Sequence, residues 1–272
     1  MSKLIHKDLT YTIRGVLFDV HNQLGPMLPE EFCQKAVVIG LQAQEVKCET
    51  EKAFEVYYRN QRVGLYYVDV WIEGGEVILE LKVAPKILPL HKAQAISYLK
   101  VTDADLAMVV NFGAASLEVE RLPNFVRDKV VEFEWEKQPV SEDTLYPDLT
   151  NQLFEAMHRV HFELGPGFLH QVYRRATMIE LQHHGLQYEY IKKVPIHYQE
   201  HYLGTQDVRL IRVADKVLLA TVAVKQVDEA MKGRLKARLK HLGAPLGLLA
   251  NFNSTKLEVE VIRRKDNTGL GN

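Results

Sequence analysis

Apolar residues in the first half of the chain recur in two rhythms. Ile13, Val16, Leu17 and Val20 keep a helical spacing and predict a helix over residues 9–23, ended by Gly25-Pro26. A second helix is predicted over 29–44, with Pro29 in its first turn and Glu30 and Glu31 at its positive end. Residues 47–58 read as a strand. After a turn at Asn60, the stretch 64–82 carries two runs rich in Val, Ile, Leu and aromatics on either side of Gly74-Gly75. A Gly-Gly pair supplies the positive φ angles of a two-residue turn, so this stretch is predicted to be a β-hairpin. Residues 89–102 read as a helix, and 106–111 and 116–122 as strands. Helix, helix, three strands, helix, two strands is an α/β layer arrangement.

The hairpin concentrates the candidate chemistry. With Gly74 and Gly75 at its tip, Trp71 faces Ile78, Asp69 faces Glu80 and Tyr67 faces Lys82. Alternation then places Asp69, Glu80 and Lys82 on one face and Val70, Leu79 and Leu81 on the other. Two carboxylates with Cβ atoms about 5 Å apart repel unless a cation lies between them. A divalent metal or the Lys82 ammonium would serve. An amphipathic hairpin with a wet polar face and a weak Glu80–Lys82 surface pair is the alternative. The unbroken run Val77-Ile78-Leu79 argues instead for a strand covered on both sides.

The chain is also written twice. Asp8-Leu9-Thr10 recurs as Asp148-Leu149-Thr150, Leu24-Gly25-Pro26 as Leu164-Gly165-Pro166, Asn111-Phe112 as Asn251-Phe252, and Leu117-Glu118-Val119-Glu120 as Leu257-Glu258-Val259-Glu260, always 140 positions apart. So long a period implies two domains, each with its own core, rather than a solenoid. The joint is expected in the polar run 138–143, giving domains over 1–140 and 141–272. The second copy keeps apolar positions such as Ile39/Ile179, Leu41/Leu181, Val77/Val217 and Leu99/Leu239. It replaces Glu30 by His170, Asp69 by Arg209, Glu80 by Ala220, Lys82 by Val222, Gln94 by Arg234 and Tyr98 by Arg238. Loss of these side chains with retention of the core favours a functional over a structural role for them in the first copy. His21 and His161 occur in both copies, so they read as structural, capping or tethering a loop.

Composition narrows the picture little. The 272 residues carry a formal net charge of −1, which gives no global attraction to nucleic acid. Cys33 and Cys48 lie in no metal or redox motif and are expected as free thiols. The N-terminal MSKLIHKDLT lacks the apolar core of a signal peptide, and no run is long enough to span a bilayer, so a cytoplasmic location without membrane contact is expected.

Asp69, ten intervening residues and Glu80-Leu81-Lys82 resemble the D…(D/E)xK signature of the PD-(D/E)XK nuclease superfamily. The order of the surrounding segments is similar to its bacterial GxxExxY branch. Leu24-Gly25-Pro26-Met27-Leu28-Pro29-Glu30 matches the branch motif at Glu30, while Met27 and Cys33 stand where it has glycine and tyrosine. In the second copy Gly167, Phe168 and Tyr173 keep more of that frame, with His170 replacing the glutamate and reading as a surface histidine. The resemblance implies two tandem restriction-endonuclease-like domains, each a mixed sheet flanked by helices, the second degenerate. It further implies Mg²⁺ or Mn²⁺ held by Asp69, Glu80 and the Leu81 carbonyl with Glu30 assisting, and Lys82 acting on the attacking water. Gln94 and Tyr98, one helical turn apart, would position substrate. The substrate implied is nucleic acid, with DNA preferred over RNA, cut at its phosphodiester bonds. A non-catalytic binding or scaffolding protein of the same fold is the rival reading, and pairing is expected either with a second chain or between the two copies. Lys232, Arg234, Lys236, Arg238 and Lys240 flank the apolar stripe of a helix in the second copy and offer a further phosphate-binding ridge.

Overall fold

The structure is a computed structural model, and it describes residues 5–125, 132–136 and 145–264. The chain forms two compact units, made in the main from the residues up to 132 and from those after it. The joint expected near 138–143 lies outside the described residues.

The first unit runs α1 (Lys7–Leu24), α2 (Glu30–Ala43), β1 (Cys48–Tyr58), β2 (Gln61–Ile72), β3 (Val77–Lys82), α3 (Pro89–Thr102), β4 (Leu106–Asn111) and β5 (Glu118–Pro123). The five strands lie in sequence order, antiparallel except for β3 and β4, which pair in parallel from Val77↔Leu106 to Lys82↔Asn111. A parallel pair needs a crossover, and α3 supplies it. Ile13, Leu17 and Val20 of α1 and Val37 and Leu41 of α2 pack with Val70, Leu79, Leu81, Met108 and Val110 in one buried cluster. Each such side chain taken fully out of water contributes about 1.5–3 kcal/mol. The opposite face of the sheet, which carries Ile78 and Glu80, is covered by α3 through Ala95, Tyr98 and Leu99, all buried. β3 is therefore covered on both sides, as its apolar run indicated, and the wet-faced hairpin does not form.

The hairpin keeps the expected register, with Val70↔Leu79, Trp71↔Ile78 and Ile72↔Val77. Its turn is longer than the two residues expected. Glu73–Gly75 form a 3-10 turn, and Glu73, Gly74 and Gly75 all have positive φ (44°, 68° and 111°). Gly75 is required there, because a Cβ would also come within 2.5 Å of the Trp71 ring.

The second unit repeats this plan: α4 (Pro147–Leu164), α5 (His170–His183), β6 (Tyr188–Tyr198), β7 (His201–Val213), β8 (Val217–Val222), α6 (Glu229–His241), β9 (Leu246–Asn251) and β10 (Glu258–Arg263). Its sheet runs β6 to β10 in order, with β8 and β9 parallel. Two mixed five-stranded sheets, each flanked by helices, thus share one topology.

Residues that recur between the copies tie these frames together. Asn111 is fully buried; its Oδ1 accepts from the Ala84 and Gly113 N–H groups at 2.9 and 3.0 Å, and its Nδ2 donates to Glu118 at 2.8 Å. Asn251 makes the equivalent bonds with Val224, Asn253 and Glu258. His21 and His161 each direct Nε2 at a loop carbonyl, Ala115 at 3.5 Å and Ser254 at 2.8 Å, which is the tethering role expected of them. Cys33 and Cys48 are free thiols. Among the described residues, no helix is long and apolar enough to cross a membrane.

Candidate active site

The candidate site lies where β2 leaves β3. The β2–β3 ladder ends at Val70↔Leu79, so Asp69 and Glu80 are not the directly paired neighbours that strict hairpin geometry gives. Asp69 instead turns its carboxylate onto the backbone of β3, and Oδ2 accepts the Leu81 N–H at 2.8 Å. Opposite Asp69, Glu51 of β1 has φ 52°, and the β1–β2 ladder skips this pair between Thr50↔Val70 and Lys52↔Val68.

Glu80 is buried, with 5% of its surface exposed. Lys82 donates from Nζ to Glu80 Oε1 at 2.6 Å and to the Leu81 carbonyl at 2.8 Å. The ammonium therefore occupies two of the oxygen positions that the sequence assigned to a metal. Tyr66 donates its hydroxyl to Glu80 Oε2 at 3.2 Å and stacks on Tyr98, ring centroids 3.9 Å apart. Tyr98 is thus buried beneath the site, and Gln94, one turn earlier on α3, is half-buried.

Electrostatics couple these groups. Burial and the charge of Glu80 push Asp69 up to about 7, against the pull of the Leu81 N–H and Lys82. Burial also raises Glu80, although Lys82 and the Tyr66 hydroxyl oppose it. For Lys82 burial acts downward, but Glu80, Asp69 and Glu30 outweigh it and the net shift is upward. Glu30, in the first turn of α2, is raised by the loss of solvent around its carboxyl, opposed by Lys82 and reinforced by Asp69 and Glu51. A cavity of about 210 Å³ opens beside them, lined by Glu30, Glu31, Gln34, Glu51, Asp69 and Leu81.

The structure thus brings Asp69, Glu80, Leu81, Lys82 and Glu30 into one neighbourhood, with Tyr98 beneath. Three participants went unrecognised in the sequence: Glu51, which lines the cavity, Tyr66 and Gln34. Tyr66 is one position off the strict alternation that favoured Tyr67, which is 48% exposed. Gln34 donates from Nε2 to the Asp69 carbonyl at 2.8 Å and to Glu51 at 3.2 Å. Its signal was its place one turn after Glu30 on the same helix face.

The donors are carboxylate and carbonyl oxygens, the carboxyl pKa values raised first by burial and then by neighbouring carboxylates, a set that suits a hard divalent cation. As arranged, with Lys82 between Glu80 and the Leu81 carbonyl, no group of three or more His, Cys, Asp or Glu among the described residues is placed to hold a metal.

The basic residues of α6 belong to the second unit. Lys232 is bound to Glu229 at 3.3 Å and Glu260 at 3.0 Å, and Arg238 is bonded to Gln206. Arg234, Lys236 and Lys240 are exposed on the flanks of the buried Leu235 and Leu239. Two of the five thus have partners on neighbouring elements, and three are exposed.

A family profile described as the PD-(D/E)XK nuclease superfamily matches residues 7–122 and again 147–264. No curated protein matches the chain. A solved structure described as the crystal structure of SSO0001 is 14% identical, over 43% of this chain and 77% of that one, with a TM-score of 0.24.

Proposed function

Because the chain belongs to the PD-(D/E)XK nuclease superfamily, matched in both of its copies, we propose that its first half hydrolyses phosphodiester bonds of nucleic acid with a divalent metal, Mg²⁺ or Mn²⁺. The second half, which lacks the site residues, serves as a structural partner or grips nucleic acid. We assign the first copy to the GxxExxY branch on Glu30 and the flanking Leu24-Gly25-Pro26, and place the protein in the cytoplasm.

One observation carries this reading: three carboxyl groups, Glu30, Asp69 and Glu80, all have raised pKa values around one half-buried lysine, Lys82. Perturbed groups of this kind gather where a site is built to bind or transfer charge. Asp69, Glu80 and the Leu81 carbonyl would hold the cation, which when bound neutralises phosphate charge and lowers the pKa of water. Lys82, released from Glu80, reaches the attacking water and the negative charge developing on the phosphoryl oxygens. Tyr66 holds Glu80 in orientation through its hydroxyl, and Tyr98 holds Tyr66 by stacking. The Leu81 N–H fixes one Asp69 oxygen and leaves the other to face the cavity.

A specific observation also favours a second reading. Lys82 already neutralises Glu80, so the fold is complete without metal, as a non-catalytic binding or scaffolding protein would need it to be. Titration of Mn²⁺ into wild type and Glu80→Ala, each shown folded by its thermal melt, separates the two. Saturable binding lost in the variant, with cleavage of labelled DNA or RNA lost in Lys82→Ala, supports the nuclease. Absence of both Mn²⁺ binding and cleavage in a folded wild type, with substrate present, supports the scaffold.

A further inference from the structure

The cleft of the second copy has reversed its charge. Where the first copy places Glu30, Gln34 and Asp69, the second places His170, Arg174 and Arg209. These three line a cavity of about 290 Å³ together with Thr221 and the apolar Val208, Leu210, Ala220, Val222, Ala223 and Val224. Among the described residues, no acidic side chain lines it. Arg174 is 7% exposed, its guanidinium lies 5.4 Å from the Tyr190 ring, and burial together with Arg209 and Arg175 lowers its pKa. His170 is shifted downward by burial and by the same two guanidinium groups, Arg174 and Arg209, that share its cavity. Arg209 has only a loose contact with Asp207, at 3.9 Å between exposed groups. Arg174 is also hydrogen-bonded to the Tyr190 side chain, which opposes the downward shift of its pKa.

A second, separate observation points to a ligand. The Thr221 hydroxyl is buried and has no hydrogen-bond partner among the described residues. A buried hydroxyl left unpaired costs about 1–3 kcal/mol, and Thr221 is one of the residues that line the same cavity. Helix α5 begins there as well, at His170, with no side chain capping its first-turn N–H groups. Such a helix start attracts anions, and guanidinium groups bind tetrahedral oxyanions through paired, charge-assisted hydrogen bonds.

We propose that this cavity is an anion site for a phosphate group, held by Arg174 and Arg209, His170 and the Thr221 hydroxyl. Two or three cations match a doubly charged phosphate better than a carboxylate, and donors converging from two strands and a helix suit a tetrahedral acceptor. The apolar remainder of the wall has room for part of whatever carries the phosphate. The site does not depend on hydrolysis by the first copy, and inorganic phosphate alone tests it.

The experiment is calorimetric titration of inorganic phosphate into the full chain at constant ionic strength, for wild type, Arg209→Ala, Thr221→Val and Glu80→Gln. Arg209 is half-exposed and Thr221→Val keeps the shape of the side chain, so both variants are expected to fold, which a thermal melt checks. The expected result is saturable binding weakened about tenfold or more by Arg209→Ala, as the loss of one charged hydrogen bond gives. Thr221→Val weakens it several-fold, and Glu80→Gln leaves it unchanged. Competition by a short oligonucleotide with a 5′-phosphate only identifies a terminal phosphate as the natural ligand, and competition by 5′-hydroxyl and 5′-phosphate forms alike identifies the backbone. Absence of phosphate binding, or equal binding in wild type, Arg209→Ala and Thr221→Val, overturns the proposal.

Discussion

Asp69→Asn isolates the cost of the acidic cluster. The Asp69 carboxyl moves from 3.8 to about 7 on folding, and at 1.36 kcal/mol per unit its ionised form is disfavoured by about 4 kcal/mol in the folded chain. That figure is a ceiling, because the carboxyl is partly exposed beside the cavity and water screens it. The folded chain holds the extra proton between the two values, so this residue's contribution to stability falls as pH rises through that window. The penalty is complete above the folded value and absent below the unfolded one. Asparagine keeps an oxygen for the Leu81 N–H and carries no charge. Asp69→Asn is therefore expected to be more stable than wild type near pH 8, by up to about 4 kcal/mol, with the gain vanishing as pH falls toward about 4. The assay is urea unfolding across this range in a Trp135→Phe background, where the fluorescence of buried Trp71 reports the first copy alone. A variant no more stable than its parent at the higher pH, or a gain independent of pH, would refute the reasoning.

Tyr66→Phe removes a hydroxyl that holds the Glu80 pKa down. Glu80 should then titrate higher, and the acid limb of Mn²⁺ binding should move to higher pH while the melt changes little. In the second copy, Glu180 is fully buried between Arg159 at 3.4 Å and His184 at 3.3 Å. Arg159→Met removes one charged partner of that carboxylate and is expected to cost up to about 3 kcal/mol, measured by urea unfolding. Combining it with Glu180→Leu should recover most of the loss, since the charge and its partner leave together.

The repeat was the most legible feature of the sequence. Elements α1, α2, β1, β3, β4 and β5 reappear exactly one period later because the residues that fix them, Asn111/Asn251 and His21/His161 among them, are the ones that recur. The hairpin register was legible for the same kind of reason, since a one-residue slip would turn Val70 and Leu79 out of the core. Local backbone irregularity was not. Nothing in the pattern around Glu51 announces a left-handed residue, and nothing in the alternation announces that the β2–β3 ladder stops before Asp69, that its carboxylate takes the Leu81 N–H, or that Tyr66 rather than Tyr67 reaches Glu80. The charge reversal in the second cleft was visible only as substitutions at Asp69 and Glu30. Its third member, Arg174 in place of Gln34, needed the structure to show that α5 faces that cavity.

The asparagine clamp behind β3 sets how fast the first site can change state. Asn111 pins the Ala84 N–H two residues after Lys82, and Gly113 lies so close that a Cβ there would meet the Ala84 backbone at 2.4 Å. The main chain that carries the lysine is thereby held still, and its freedom is confined to the four-carbon stem. Parting Lys82 from Glu80 then requires side-chain rotation alone, with no loop to refold and no strand to slide. Such rotations run far faster than backbone rearrangement, so on the nuclease reading proposed above the protein need not open for Lys82 to leave Glu80.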